Sequence, residues 1–301
     1  MMVTRRRFTF LSAALLGGVA GGIGRPGAAE TSAGDLNAEL TRLETAIDGR
    51  LGVTILDTAT GQRIARRGGE RFPMCSTFKV IACGAVLARV DAGREDLNRR
   101  IRFEAGDLVP YSPVTKDRVG GDGMTLAELC KAALTQSDNT AANLILASLG
   151  GPAAVTAFAR ALGDSVSRLD RVETALNAAT PGDPRDTTTP DAMADNLRAL
   201  VVDGRLSARS RDQLTEWLVA NQTGGARLRA GLPQDWRVGD KTGSGDWGTT
   251  NDVAVLWPPG RKPLILCVYL TNTKASVDDR NATIAAVGRA VERALRGRSP
   301  E

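Results

Sequence analysis

The pair of side chains best suited to covalent chemistry in this sequence is Ser76 and Lys79, in Ser76-Thr77-Phe78-Lys79. Three residues apart on a helix, they share a face. A serine hydroxyl is a weak nucleophile until a base takes its proton, and here an amine is within reach. Phe72, Pro73 and Met74 come just before the pair and can shield the ammonium from water, which lowers its pKa. Taken alone, Ser-x-x-Lys has little weight, since about one chance match is expected in a chain this long. What raises it is the absence of any His among the 301 residues. That excludes a Ser-His-Asp triad, a His general base and the usual zinc hydrolase sites. A hydrolase built from this chain must move protons with a carboxylate, a Lys or a Tyr. Lys is also scarce, six against 33 Arg. A Lys inside a motif is therefore informative, because Lys can give up its proton and Arg cannot.

The elements that must hold such a pair follow from apolar spacing. Leu36, Leu40, Leu43 and Ile47 predict a helix over 35–50. Residues 52–57 and 62–65, joined by the turn 58–61, predict a hairpin. From 76 to 220 the spacing is helical, over 80–90, 126–135, 140–149, 155–162, 191–202 and 207–220, with Gly and Pro between. Strands return over 236–241, 249–257 and 264–271, and a helix over 280–296 closes the chain. The fold class expected is α/β: an antiparallel sheet flanked by helices, plus an all-helical lobe, with the active site in the cleft between them. The domains expected are a discontinuous sheet domain of residues 30–67 and 220–301 and a helical domain of residues 68–219. No internal repeat or low-complexity segment follows the N-terminal leader.

Two further motifs sharpen the picture. Ser137-Asp138-Asn139 stands at a helix start, where helix capping is its ordinary role. Lys241-Thr242-Gly243 stands near the end of a strand, where a turn is its ordinary role. In this order with Ser76 and Lys79, the three motifs form the triplet of class A β-lactamases and penicillin-binding proteins. Beyond them the sequence resembles class A serine β-lactamases along its mature length. The resemblance includes Arg171-Val-Glu173-Thr-Ala-Leu-Asn177, Pro181-Gly-Asp-Pro-Arg-Asp186, Gly239-Asp-Lys-Thr-Gly-Ser-Gly-Asp246 and Thr250-Asn-Asp-Val-Ala-Val-Leu-Trp257. Cys75 before the serine and Ser244-Gly245-Asp246 look like the broad-spectrum branch that includes cefotaximases and environmental penicillinases.

That resemblance implies hydrolysis of penicillins and cephalosporins through an ester on Ser76, giving antibiotic resistance. It implies an oxyanion hole from the backbone N–H groups of Ser76 and Ser244. Lys79 and Glu173 share the base role in acylation, with the order open. Ser137 passes a proton to the leaving nitrogen. Lys241, Thr242 and Ser244 receive the substrate carboxylate, helped by Arg227, whose fork is well shaped for it, and Gly243 is a further substrate-binding residue. Asn139 binds the side-chain amide of the drug, and Tyr111 flanks the cleft. Glu173 and Asn177, four apart, hold the water that clears the ester. Arg171 and Asp186 pair across the base of the omega loop, residues 168–190. A cis peptide is implied after Glu173, although Thr174 follows rather than Pro. The resemblance also implies a Cys83–Cys130 disulfide, which spacing alone cannot choose. In the carbapenem-hydrolysing branch the Cys before the nucleophile is bridged to a Cys at the position of Gly245 here, so strong carbapenem hydrolysis is not expected. The alternatives are a D-Ala-D-Ala carboxypeptidase or penicillin-binding protein, and a β-lactam receptor that acylates without turnover. Both lack use for Glu173 with Asn177.

Residues 1–29 read as an export signal, with Arg5-Arg6-Arg7-Phe8 favouring the twin-arginine route. Their apolar run is shorter than the ~20 residues of a spanning helix. They carry four Arg and no acid, and the rest has 35 basic against 34 acidic residues. Without a basic run, nucleic acid is not an expected partner. The expectation is a periplasmic or secreted monomer, free of the membrane once the leader is removed, with no metal and no organic cofactor. Cys267, inside an apolar run, reads as a buried thiol.

Overall fold

Strands from the two ends of the chain meet in one sheet. The computed structural model describes residues 28–296, with side chains from residue 34. The export signal expected over 1–29 lies outside the described residues up to residue 27. In chain order the elements are α1 (Ala28–Ile47), β1 (Arg50–Asp57), β2 (Arg63–Arg66), β3 (Phe72–Pro73), α2 (Phe78–Asp91), β4 (Arg100–Ile101), β5 (Met124–Thr125), α3 (Leu126–Thr135), α4 (Asn139–Leu149) and α5 (Pro152–Leu162). There follow β6 (Thr187–Thr188), α6 (Pro190–Val201), α7 (Ala208–Val219), α8 (Leu228–Gly231), β7 (Arg237–Ser244), β8 (Thr250–Trp257), β9 (Leu264–Thr271) and α9 (Val277–Arg296).

The main sheet has the order β2-β1-β9-β8-β7, antiparallel throughout. In β9, Leu264, Leu266, Val268 and Leu270 join one core, while Ile265, Cys267 and Tyr269 join the other. A strand covered on both faces reads as an unbroken apolar run, which is why Leu264–Thr271 has no polar alternation. The first core includes Leu36, Leu40 and Leu43 of α1 and Ile284, Val287 and Val291 of α9. The second continues into the helical segment through Phe78, Leu129, Ile145 and Met193. Two helices that carry the site start where side chains cap them: Thr125 with Glu128 forms a capping box for α3, and Asp138 caps α4 by accepting from Ala141 N.

β7 ends the sheet, so one of its edges is unpaired within it. It extends past the expected end at 241, because Gly243 and Ser244 still pair with Asn251 and Thr250 of β8. The two-residue strands β3 to β6 leave no period-2 pattern and are unforeseen. Of these, β3 pairs with β6 through Phe72↔Thr188 and Pro73↔Thr187, which ties the end of the omega loop to the chain entering Ser76.

The expected Cys83–Cys130 bridge is not formed; both are buried free thiols. α2 and α3 pack together and make the pair neighbours, but Cys83 Sγ donates to the Cys130 carbonyl at 3.9 Å. The Cys83 hydrogen bond and burial push the Cys130 thiol well above its ordinary range. A protonated thiol is a poor entrant to disulfide chemistry. Cys267 is buried, as expected.

Candidate active site

Ser76 lies in a single 3-10 turn, Cys75–Thr77, ahead of α2 rather than inside it. The turn begins with Cys75 at φ 46°, a left-handed conformation uncommon for a side-chain-bearing residue. Three anchors hold it. Asn251 Nδ2, from β8, donates to the carbonyls of Pro73 at 2.9 Å and Met74 at 3.2 Å. Thr77 Oγ1 donates to the Met74 carbonyl at 2.8 Å. The Met74 N–H reaches the Asp186 carbonyl at 2.9 Å. Asn251 carries no chemistry-bearing signal in sequence and went unrecognised, although it fixes the nucleophile turn against the sheet.

The side chains of Lys79 and Glu173 are 1% and 0% exposed, and their Nζ and Oε1 lie 3.0 Å apart. Burial pushes the Lys79 pKa down, and the Glu173 charge works against that shift. Ser76 Oγ donates to Glu173 Oε1 at 3.2 Å, so one carboxylate oxygen faces both the nucleophile and the amine. Asn177 Nδ2 donates to Glu173 Oε2 at 2.6 Å. The Glu173–Thr174 peptide is cis, as the resemblance implied. Asn143 clamps the backbone here: its Oδ1 accepts from Glu173 N at 2.9 Å and its Nδ2 donates to Glu173 O at 2.8 Å. Asn143 was a missed residue; its only signal was its place one helical turn after Asn139.

Ser137, at φ 58°, sits where the two lysines converge. Lys241 Nζ donates to its Oγ at 3.0 Å, and Lys79 Nζ approaches the same oxygen at 3.5 Å and the Ser137 carbonyl at 2.9 Å. Asn139 was expected to face the ligand. Both ends of its amide are engaged: Oδ1 accepts from Lys79 at 2.7 Å and Nδ2 donates to Pro110 O at 2.9 Å. Asp138 accepts from Val114 N and Thr115 N, both at 2.9 Å, which steadies the loop carrying Tyr111. Tyr111 stands 61% exposed at the cleft wall. Arg227 lies alongside β7 and β8, with Nη1 on the carbonyls of Gly243 and Asn251 at 2.9 and 2.6 Å and Nη2 on Ser244 Oγ at 2.7 Å. Burial pushes Lys241 down to about 7, helped by repulsion from Lys79. The cleft, about 600 Å³, has Ser76 and Ser137 at one side and Thr242, Ser244 and Arg227 at the other. Among the described residues no group of three or more His, Cys, Asp or Glu side chains is placed to hold a metal ion.

The structure thus brings Ser76, Lys79, Ser137 and Glu173 into one hydrogen-bonded cluster, and sets Asn139, Asn177, Thr242 and Ser244 around it. Arg171 and Asp186 pair at the base of the loop, Nε to Oδ2 at 2.5 Å. Cys83 and Cys130 lie in the helical core, away from the cluster. The loop is also pressed onto β7. A Cβ on Gly245 would stand 2.6 Å from Asn177 O and 2.7 Å from Cys75 Sγ, while Asp246 N donates to Asn177 O at 2.9 Å. Gly245→Ala is therefore expected to cost roughly 1–3 kcal/mol as an overpacked contact, seen in calorimetry as a Tm several degrees lower. An unchanged Tm would mean the loop moves aside freely.

A profile of the β-lactamase enzyme family matches residues 35–295. β-lactamase CTX-M-8 of Citrobacter amalonaticus is 51% identical over 259 residues, covering 86% of this chain and 89% of the relative. β-lactamase AST-1 of Nocardia asteroides is 52% identical over 265 residues, covering 88% of this chain and 85% of the relative. An ancestral Gram-negative class A β-lactamase superposes with a TM-score of 0.85 at 64% identity, covering 86% of this chain and 99% of that one. With the sheet, the two lysines and the Glu173 loop in the same chain, these likenesses place it: it belongs to the β-lactamase enzyme family, in class A.

Proposed function

We propose that this protein hydrolyses the β-lactam amide of penicillins and cephalosporins through an ester on Ser76, and so confers antibiotic resistance. The observation that carries the proposal is the position of Glu173, whose carboxylate touches Ser76 Oγ at 3.2 Å, Lys79 Nζ at 3.0 Å and Asn177 Nδ2 at 2.6 Å. In acylation Ser76 Oγ loses its proton to the Lys79–Glu173 pair and bonds to the lactam carbonyl carbon. The backbone N–H groups of Ser76 and Ser244 hold the resulting oxyanion. The C–N bond then breaks, and Ser137 gives its proton to the ring nitrogen, resupplied from the lysine side. In deacylation Glu173 takes a proton from a water that attacks the ester, and Ser76 leaves with a proton returned. Asn177 supports this step, because its Oδ1 is buried without a protein partner and can accept from that water. Asn139 and Tyr111 receive the acyl side chain, with Asn139 exchanging its Pro110 bond for the ligand. Arg171 and Asp186 act by holding the loop.

The carboxypeptidase and receptor readings make no use of a carboxylate beside the ester, so the Glu173–Asn177 pair counts against both. The test is to mix the purified protein with the chromogenic cephalosporin nitrocefin and follow colour and protein mass together. Steady colour with a transient adduct supports turnover; a lasting adduct without continuing colour overturns it. We also propose export by the twin-arginine route to the periplasm or medium, with cleavage after Ala29. The exported protein acts as a monomer, binding neither nucleic acid nor membrane.

The carboxylate end of the substrate has its own pH signature. Only the ammonium form of Lys241 attracts an anion, and that form is lost as pH rises through about 7. Since kcat/KM reports the free enzyme, kcat/KM is expected to decline from near pH 7, whereas kcat, with the carboxylate already bound, holds to higher pH. Lys241→Arg should move the limb upward, because guanidinium keeps its proton. A limb that stays in place in this variant belongs to another group. The same burial acts on folding: the Lys241 pKa falls from 10.5 to about 7. The unfolded chain binds more protons in that window, so stability from this residue rises with pH across it.

A further inference from the structure

The Thr242 hydroxyl, assigned above to the substrate carboxylate, meets the Thr223 hydroxyl at 2.5 Å. Which of them donates is decided by the partners behind Thr223. Asp240 is wholly buried on β7 and pairs with Arg229 Nε at 2.6 Å. A carboxylate engaged by a guanidinium serves its other neighbours as an acceptor. Asn221 therefore turns its Nδ2 to Asp240 Oδ2, 2.6 Å away, and its Oδ1 toward Thr223. That amide oxygen accepts from Thr223 N at 3.0 Å and from Thr223 Oγ1 at 2.8 Å. A hydroxyl has one proton. With that proton committed to Asn221, Thr223 offers Thr242 only lone pairs.

Thr242 is thus the donor in the short contact, and its proton points away from the position of the anion. We infer that Thr223 is a positioning residue of the carboxylate subsite, which captures the Thr242 proton until a substrate anion draws it away. The inference rests on Thr242 receiving the carboxylate. Its consequence is selectivity. An anion must replace a bond already made, so every anion that draws the Thr242 proton bears that cost; a small anion held by Thr242 alone has nothing to offset it, whereas one that Lys241 and Arg227 also hold still binds. Val at position 223 would abolish the competition, and Ser would keep it.

Two arylboronic acids test this, one with a ring carboxylate and one without; both esterify the serine hydroxyl reversibly. In Thr223→Val the Ki of the carboxylate-bearing compound is expected to fall roughly fivefold, the size of one net hydrogen bond, with the other compound unchanged. Thr223→Ser should match the parent protein. Thr223 is only partly buried, so the substitution is tolerable. Thr242→Val in the parent protein checks the foundation, since it must weaken the carboxylate-bearing compound alone. If it does not, the subsite reading fails. If it does, while Thr223→Val leaves the Ki ratio unchanged or worsens it, only the proton-capture inference is overturned.

Discussion

In Glu173→Ala the ester on Ser76 is expected to form and then persist, with turnover of a penicillin lowered about 10³-fold, within the range for loss of a general base. Two features of the site make the steps separable. Deacylation needs a base that faces both the ester and Asn177, and Glu173 is the group in contact with Ser76 Oγ and Asn177 Nδ2 alike. Acylation needs a base for the serine proton, and Lys79 can take over. Burial is the largest influence lowering the Lys79 pKa, and the charge of Glu173 is the largest influence raising it. Removing that charge drives Lys79 further toward the neutral amine, which is the form that accepts a proton. Intact-mass measurements on the millisecond-to-minute scale give both rates. Fast adduct formation with slow loss assigns acylation to Lys79. Adduct formation slowed as much as its loss would instead make Glu173 the base for both steps. Clearance at the parental rate would remove Glu173 from the mechanism.

Much of this arrangement was legible in the chain. Ser76, Lys79, Ser137 and Lys241 are chemistry-bearing types at motif spacing, and the scarcity of Lys made two of them conspicuous. The sheet was legible chiefly because β9 carries an unbroken apolar run buried on both faces and β8 a shorter one over 253–257. What escaped was the framework that aims the groups. Asn143, Asn251 and Thr223 act through hydrogen bonds spanning 30, 178 and 19 residues, and such partners have no local pattern. The turns at Cys75, Tyr111, Ser137 and Asp186 are left-handed without being glycine, so the usual turn signal is missing. Tertiary contacts stabilise them, and non-glycine residues in that region concentrate at functional sites. The engaged state of Asn139 was likewise hidden, because its partner Lys79 had been assigned to the serine.

The largest stability effect is expected at Asp186, which carries no chemistry. Its side chain is 1% exposed and accepts from Asp170 N at 2.7 Å, Arg171 N at 3.0 Å and Arg171 Nε at 2.5 Å. Its backbone carbonyl accepts from Met74 N, two residues before Ser76. Truncation in Asp186→Ala removes the acceptor of two partly buried N–H groups and leaves the Arg171 guanidinium only the more distant Asp183 at 3.9 Å, for which about 3–5 kcal/mol is the usual cost of breaking a buried pair. At just under about 2 °C per kcal/mol for a chain of this size, the Tm should fall by about 5–9 °C. Asp186→Asn keeps an oxygen for the two N–H groups but sets an amide donor against Arg171, so it should fall between the two. Activity distinguishes a local role from a general one. The loop from Arg171 to Asp186 carries Glu173, and its far end meets the chain entering Ser76 through Phe72↔Thr188 and Pro73↔Thr187. Loosening that loop changes the Glu173 position relative to Ser76 while the helical core remains packed. Well below the lowered Tm, deacylation should therefore slow more than acylation, and the adduct should be visible where the parent shows none. Equal losses in both steps would mean that Asp186 supports the fold at large, and a Tm near the parental value would show that the loop finds other partners for its stranded groups.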